Sequence, residues 1–304
     1  MNKRWIVLFV IVAVASIVAG CGGGVQQPTA PVAPVGPYPM TITDNVGRDV
    51  VITEEPLRIV SLMPSLTETL FALGLGERVV GVTSYCNYPK EALAIDNVGG
   101  LYDLNAEAIL ALEPDIVLAG KSSTVQEVLD VLEANGVTVV VIDPQSLAEI
   151  EDAIREIARL TNVPDRGEQF AAEVHSGRNA VSREFAGVDL DLRPRVFILL
   201  DTDYLYTVGA GEFLSEMIEA AGGLNAAFNQ GDGWLLLSEE VLFELDPDII
   251  ILTHPTQIFA NPSWEGLQAI ANGRVYTVDG DLVSRPGPRV AQGLTELNAV
   301  FYRQ

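Results

Sequence analysis

Residues 107–118 read Glu-Ala-Ile-Leu-Ala-Leu-Glu-Pro-Asp-Ile-Val-Leu, and residues 240–251 read Glu-Val-Leu-Phe-Glu-Leu-Asp-Pro-Asp-Ile-Ile-Ile. The two stretches align without a gap, and each carries an acid seven positions before its proline. Each describes a short helix that stops at a Pro-Asp turn and feeds a continuous apolar strand. Further on, Ala134-Asn135-Gly136-Val137 is echoed by Ala271-Asn272-Gly273-Arg274, four positions out of the first register. Helix-to-strand turns with Pro-Asp are common, so one match says little. The shared acid and the second echo make two homologous lobes the better reading. The period is far above the roughly 20–50 residues of solenoid repeats, so an array is excluded.

Working outward, the first lobe reads as strands over 58–62, 79–82, 115–119 and 137–142, alternating with helices over 65–73, 105–112, 125–135 and 146–160. The second reads as strands over 195–200, 248–253 and 275–278, with helices over 212–221 and 290–302. Continuous apolar strands separated by helices predict parallel sheets covered on both faces. Between the lobes, Pro164 suits a first helical turn. Phe170, Val174, Val181 and Phe185 then recur near helical spacing, which predicts one long, stiff helix crossing from lobe to lobe. The fold expected is α/β: two similar open lobes with mostly parallel sheets, a bridging helix over 164–188, and a ligand cleft between the lobes. The lobes span 40–163 and 189–304.

Composition narrows the function. The chain has 304 residues, 48% of them hydrophobic, which excludes wholesale disorder. Eighteen Lys+Arg stand against 41 Asp+Glu, a net charge of −23, so no domain-scale basic surface for nucleic acid can form. Two cysteines and two histidines make neither a disulfide scaffold nor a His-rich metal centre. The sequence has no phosphate-binding GxxxxGK[ST] loop, no HExxH, no GxSxG and no CxxC. No metal site and no cofactor are expected.

The start of the chain is an address. Lys3 and Arg4 precede an apolar run from Trp5 to Ala19, the layout of a secretory signal and short for a membrane span. Val18-Ala19-Gly20-Cys21 resembles the lipobox of bacterial lipoproteins, with Cys21 the lipidated residue after removal of 1–20. Residues 21–39 carry Pro28, Pro31, Pro34, Pro37 and Pro39 with almost no charge. They read as a semi-extended tether. A lipid-anchored, extracytoplasmic location follows as the expectation.

In open α/β lobes, ligands bind outside the carboxyl ends of the strands. Those ends nominate Ser65, Tyr85, Gly120, Lys121 and Asp143 in the first lobe, with Tyr102 just before the Glu107 helix. In the second they nominate Tyr206, Trp234, His254, Asp281 and Arg285. Tyr85, Tyr102, Tyr206 and Trp234 offer flat faces to a large ligand, or cover their own loops. His254 offers an imidazole to a metal centre carried by a ligand, or a hydrogen bond to its own loop. Asp281 and Arg285 suit rim contacts or each other. Glu107 and Glu240 hold equivalent places, each at a helix start. Each complements the helix dipole there, and as a pair they suit a two-fold partner with basic pockets.

These residues resemble a known family: the substrate-binding proteins of ABC importers for cobalamin, ferric siderophores and haem, the class with a rigid helix between its lobes. The likeness is carried by Arg58 to Glu68, Val80 to Pro89, Asn105 to Ile116, Ser238 to Ile249 and Asp281 to Arg289. The resemblance implies that Glu107 and Glu240 dock onto the two subunits of a permease dimer served by ATPases. The Tyr85 loop ending at Pro89, Trp234, and Asp281 with Arg285 look most like the corrinoid-binding branch. Leu101 and Gly120 stand where corrinoid binders carry further cleft tryptophans. The expectation is a monomeric, non-enzymatic binding protein for cobalamin or a related corrinoid. The same scaffold holding a ferric siderophore or haem is the nearest alternative. A tethered hydrolase using Asp279 and Asp281, and a sensor presenting ligand to a membrane receptor, are the others.

Overall fold

The computed structural model describes residues 37–303 apart from 102, 122, 186, 202, 257 and 261. The expected signal segment, Cys21, most of the tether, and Tyr102 lie outside the described residues. The body opens on an antiparallel hairpin, β1 (Met40–Thr43) with β2 (Asp49–Ile52). Its turn is organised by Asp44, whose carboxylate accepts the amides of Val46 and Arg48 and pairs with the Arg48 guanidinium at 2.7 Å. Just before it, the Tyr38 hydroxyl donates to the Leu160 carbonyl at 2.6 Å. The fastened body therefore starts slightly ahead of residue 40.

The first lobe follows as β3 (Ile59–Ser61), α1 (Pro64–Ala72), β4 (Val79–Val82), β5 (Asp96–Asn97), α2 (Ala106–Ala111), β6 (Ile116–Ala119), α3 (Ser123–Ala134), β7 (Thr138–Val141) and α4 (Leu147–Leu160). Its five strands are all parallel, in the order β5-β4-β3-β6-β7. Helix α5 (Pro164–Glu184) leads to the second lobe: β8 (Arg195–Leu199), β9 (Tyr206–Val208), α6 (Phe213–Ala220), β10 (Leu224–Asn225), β11 (Trp234–Leu236), α7 (Glu239–Leu245), β12 (Ile249–Leu252), α8 (Gln268–Ala271), β13 (Val275–Thr277), α9 (Gly280–Ser284) and α10 (Val290–Phe301). Here the parallel sheet runs β10-β8-β12-β13. The central strands β6 and β12 are buried at every position, as apolar strands covered on both faces must be.

The bridging helix is not a free strut. Ala171 and Val174 of α5 belong to one continuous core that runs from Leu66 and Leu70 of α1, through Ile154 and Ile157 of α4, to Met217 of α6 and Leu294 of α10. Gly167 permits this, because a Cβ there would lie 2.3 Å from the Ala158 Cβ of α4. The helix stops at Glu184, and Phe185 caps it. Strands β9 and β11 pair antiparallel as a ribbon beside the second sheet. Sequence periodicity does not mark them, since each is three residues long and glycine-flanked. At Gly209 a Cβ would fall 2.0 Å from the Gly231 carbonyl oxygen, so the ribbon closes only with glycine there. No helix among the described residues is long and apolar enough to cross a membrane.

Candidate functional site

The repeat read in the sequence recurs in the local geometry of the two lobes. Asn105 caps α2 by accepting the Ala108 amide, and Ser238 caps α7 by accepting the Val241 amide. Glu107 and Glu240 then occupy the same second helical position, both exposed. Each helix ends on a left-handed acid before proline, Glu113 at φ 47° and Asp246 at φ 37°. The aspartate after that proline clamps the start of the neighbouring strand. Asp115 accepts the Leu57 and Arg58 amides at 2.8 Å, and Asp248 accepts the Arg195 amide at 2.7 Å. In return the Asp115 amide donates to the Arg58 carbonyl and the Asp248 amide to that of Arg195, both at 2.9 Å. The Ser238 hydroxyl and the helix amide hold the Glu240 carboxyl below the usual range. A helix that feeds a parallel strand runs back along it, so its N-terminus lies at the carboxyl edge of the sheet. Both glutamates therefore stand on the cleft side of their lobes.

Among the described residues, the carboxyl-edge segments of the two lobes meet at two places, at opposite edges of the sheets. The first lies on the β4 side of one sheet and the β13 edge of the other. Glu68 of α1, almost completely buried, takes Arg285 at 2.9 Å and Arg289 at 2.7 and 2.8 Å. Arg285 also donates to the Asn87 side chain at 2.8 Å and the Tyr85 carbonyl at 3.2 Å, and pairs with Asp281 at 2.7 Å. Asn87 returns a bond to Asp281 at 2.9 Å. The Arg289 guanidinium lies 4.1 Å over the Tyr88 ring, a cation–π contact. Ser65 is buried in this seam, where a Cβ on Gly287 would come within 3.3 Å of its own. The second meeting lies at the β7 edge, where the Leu147 amide of α4 donates to Glu216 of α6 at 2.7 Å. Beside it Asp143 and Glu212 are both raised above the usual carboxylate range. Burial is the main cause for each; Lys121 partly offsets it at Asp143, and Glu212 and Glu149 add to it there.

Among the other sequence-nominated residues, Tyr85, Tyr206 and Trp234 are partly exposed at 48%, 38% and 48%. The Tyr206 and Trp234 rings are brought together by the β9–β11 ribbon, with centroids 6.2 Å apart and planes within 14°. That is an aromatic plate of the kind a flat ligand stacks on. His254 is exposed and sits 3.0 Å from the Thr253 hydroxyl. Glu68, Asn87, Arg289 and Glu212 were not nominated. Glu68 carried a usable signal: it is the lone charge in the otherwise apolar and hydroxylic run Pro64-Ser-Leu-Thr-Glu-Thr-Leu-Phe-Ala72. Among the described residues no group of three or more His, Cys, Asp or Glu side chains converges as a metal site.

The profile of the periplasmic binding protein family matches residues 59–282, and the chain belongs to that family. It is 34% identical to an uncharacterized ABC transporter substrate-binding lipoprotein, YvrC, of Bacillus subtilis, over 99% of this chain and 98% of the relative. It is 29% identical to a vitamin B12-binding protein of Pectobacterium atrosepticum, over 77% of this chain and 85% of that one. Among solved structures, the apo periplasmic heme-binding protein RhuT of Roseiflexus sp. RS-1 superposes with a TM-score of 0.73 at 31% identity. The superposition covers 81% of this chain and 97% of RhuT.

Proposed function

We propose that this member of the periplasmic binding protein family is the capture subunit of an ABC importer, and that its ligand is a corrinoid. The protein binds and releases; it performs no covalent chemistry. The flat macrocycle lies against Tyr206 and Trp234 on one side and Tyr85 on the other. Polar groups of the rim, Asp281 foremost, meet its amide periphery. Glu107 and Glu240 present matched carboxylates to the two halves of a permease dimer. Cys21 carries the lipid that keeps the monomer at the outer membrane face where the permease sits.

The observation that carries the ligand reading is the fate of the cations. Arg285 and Arg289 are committed to Glu68 and Asp281, and Lys121 lies beside Asp143. Asp143 and Glu212 add negative charge to the same cleft. Such a cleft disfavours anionic haem and ferric catecholates and accepts a neutral or cationic ligand. The B12-binding relative supports the same choice. Titration of the purified protein with cyanocobalamin, haem and a ferric hydroxamate, followed by quenching of tryptophan fluorescence, tests it. Tight binding of cyanocobalamin with at least tenfold weaker haem binding is expected. Preference for haem or the hydroxamate overturns the ligand assignment.

A further inference from the structure

The two meetings between the lobes are unequal. At the β4–β13 end, one buried carboxylate from the first lobe is shared by two arginines of the second, and Asn87 and Asp281 lace the same guanidinium from either side. Every partner in that set is charged or doubly bonded, and Glu68 is shielded from solvent, so screening by salt is weak there. At the β7–β10 end, the polar tie among the described residues is one backbone amide on one carboxylate, and the neighbouring charged groups are the acids Asp143, Glu149 and Glu212 with one cation, Lys121, beside Asp143. Like charges facing across a seam oppose its closure. The helices α4 and α5 join the lobes through a shared core that reaches Leu147 beside Glu216, so the two ends are told apart by their polar ties and their charge.

We propose that Glu68 is a positioning residue that latches the lobes at the β4–β13 end, so that the lobes rock about this latch and the cleft opens and closes at the β7–β10 end. The proposal rests on the reading of the cleft as a ligand site. It deepens that reading by giving the cleft a fixed rim and a moving one. The latch also sets where Arg285 and Asp281 stand before any ligand arrives, so that rim is preformed and costs the ligand no ordering. Ligand enters and leaves across the acidic end.

Two spin-label pairs in the full chain test this, in a background carrying Cys21→Ser and Cys86→Ser. Glu91→Cys with Ser284→Cys spans the latched end, and Gln145→Cys with Glu219→Cys spans the other; all four positions are exposed. Distances come from pulsed electron resonance, without ligand and with cyanocobalamin, haem or a ferric hydroxamate. In the ligand-free parent the latch pair gives the narrower distribution, and a bound probe moves only the other pair. Glu68→Gln at least doubles the width at the latch end without any ligand, and Glu68→Asp restores most of it. Asn87→Ala, which strands no buried charge, gives a smaller broadening at the same end and serves if Glu68→Gln does not fold. An unchanged latch-end width in both Glu68→Gln and Asn87→Ala overturns the proposal, as does equal movement of both pairs on binding. If no probe binds the parent, the ligand assignment fails, and the ligand-free arm still decides the latch.

Discussion

Replacement of Glu107 and Glu240 by alanine separates docking from capture. Both side chains are exposed at the second position of a capped helix, so truncation leaves no buried group unpaired. An acid in the first turn contributes about 0.3–1 kcal/mol to its helix. A domain of this size shifts by roughly 2–4 °C per kcal/mol. Each single variant should therefore melt within about 4 °C of the parent. Against an arginine on the permease, a charge-assisted hydrogen bond contributes about 1.5–3 kcal/mol, or roughly 10- to 150-fold in affinity. The two glutamates sit on separate lobes with no shared partner, so their effects should add, giving roughly 10²- to 10⁴-fold for the double variant. The lobes differ in one respect: Glu239 precedes Glu240 in the first turn, whereas Ala106 precedes Glu107. Glu239 can take over part of the contact, so Glu107→Ala should cost more than Glu240→Ala. The assay is stimulation of ATP hydrolysis by the reconstituted permease–ATPase complex as binding protein is titrated in, with ligand affinity measured in parallel. A double variant whose half-maximal concentration stays within twofold of the parent refutes the docking role.

Three further outcomes follow from the geometry. Asp143 and Glu212 are held above the usual carboxylate range, so the folded protein retains protons that the unfolded chain releases. Their contribution is complete below the ordinary carboxylate pKa of about 4 and is lost as pH rises through the raised values; melting temperature against pH should therefore flatten above about pH 4 in Asp143→Asn with Glu212→Gln. Asp115→Ala removes the acceptor of two strand amides and Asp248→Ala that of one amide and the Gln268 side chain. Each should cost about 1–3 kcal/mol in urea unfolding, with ligand affinity unchanged in whatever fraction stays folded. Gly167→Ala drives a methyl into Ala158 at the α4–α5 crossing and should cost about 1–3 kcal/mol; a melting temperature equal to the parent's would show that the crossing has slack.

The lobes were legible because their repeat is written in local rules. A side-chain cap, an acid in the first turn, a left-handed acid before proline and the aspartate that follows it all lie within about ten residues, although the amides which that aspartate clamps belong to a strand far upstream. Each leaves its mark twice in the text. Glycine marks the same way: Gly136 and Gly273 both stop a helix at positive φ, where a side chain would be strained. Tyr206 and Trp234 read in the sequence as loop residues, whereas each opens a strand, and the pairing of their rings was not legible. It depends on a ribbon of two three-residue strands that carry too few positions for a period to show.

The latch was hidden for a different reason. Glu68 and Arg289 lie 221 residues apart, and nothing local records that they meet. From the sequence, Arg285 and Asp281 form an i,i+4 pair at a loop, which suits a ligand rim or a mutual ion pair equally. The missing fact was a buried acid on the opposite lobe with no local partner. A charge among apolar and hydroxylic neighbours in a helix stays ionised only if a counter-charge reaches it from elsewhere. Two arginines four residues apart, one at the end of α9 and one at the start of α10 across the turn between them, are such a supply. Removing the acid should therefore do more than weaken one contact. It would leave two guanidinium groups facing each other in a poorly hydrated seam, so Glu68→Gln should destabilise the protein by about 3–5 kcal/mol. The triple variant Glu68→Gln, Arg285→Gln, Arg289→Gln should recover part of that loss, because no uncompensated charge remains buried. Urea unfolding of both variants decides the matter: a triple variant less stable than Glu68→Gln alone would mean that the arginines stabilise this seam through contacts other than the ion pairs.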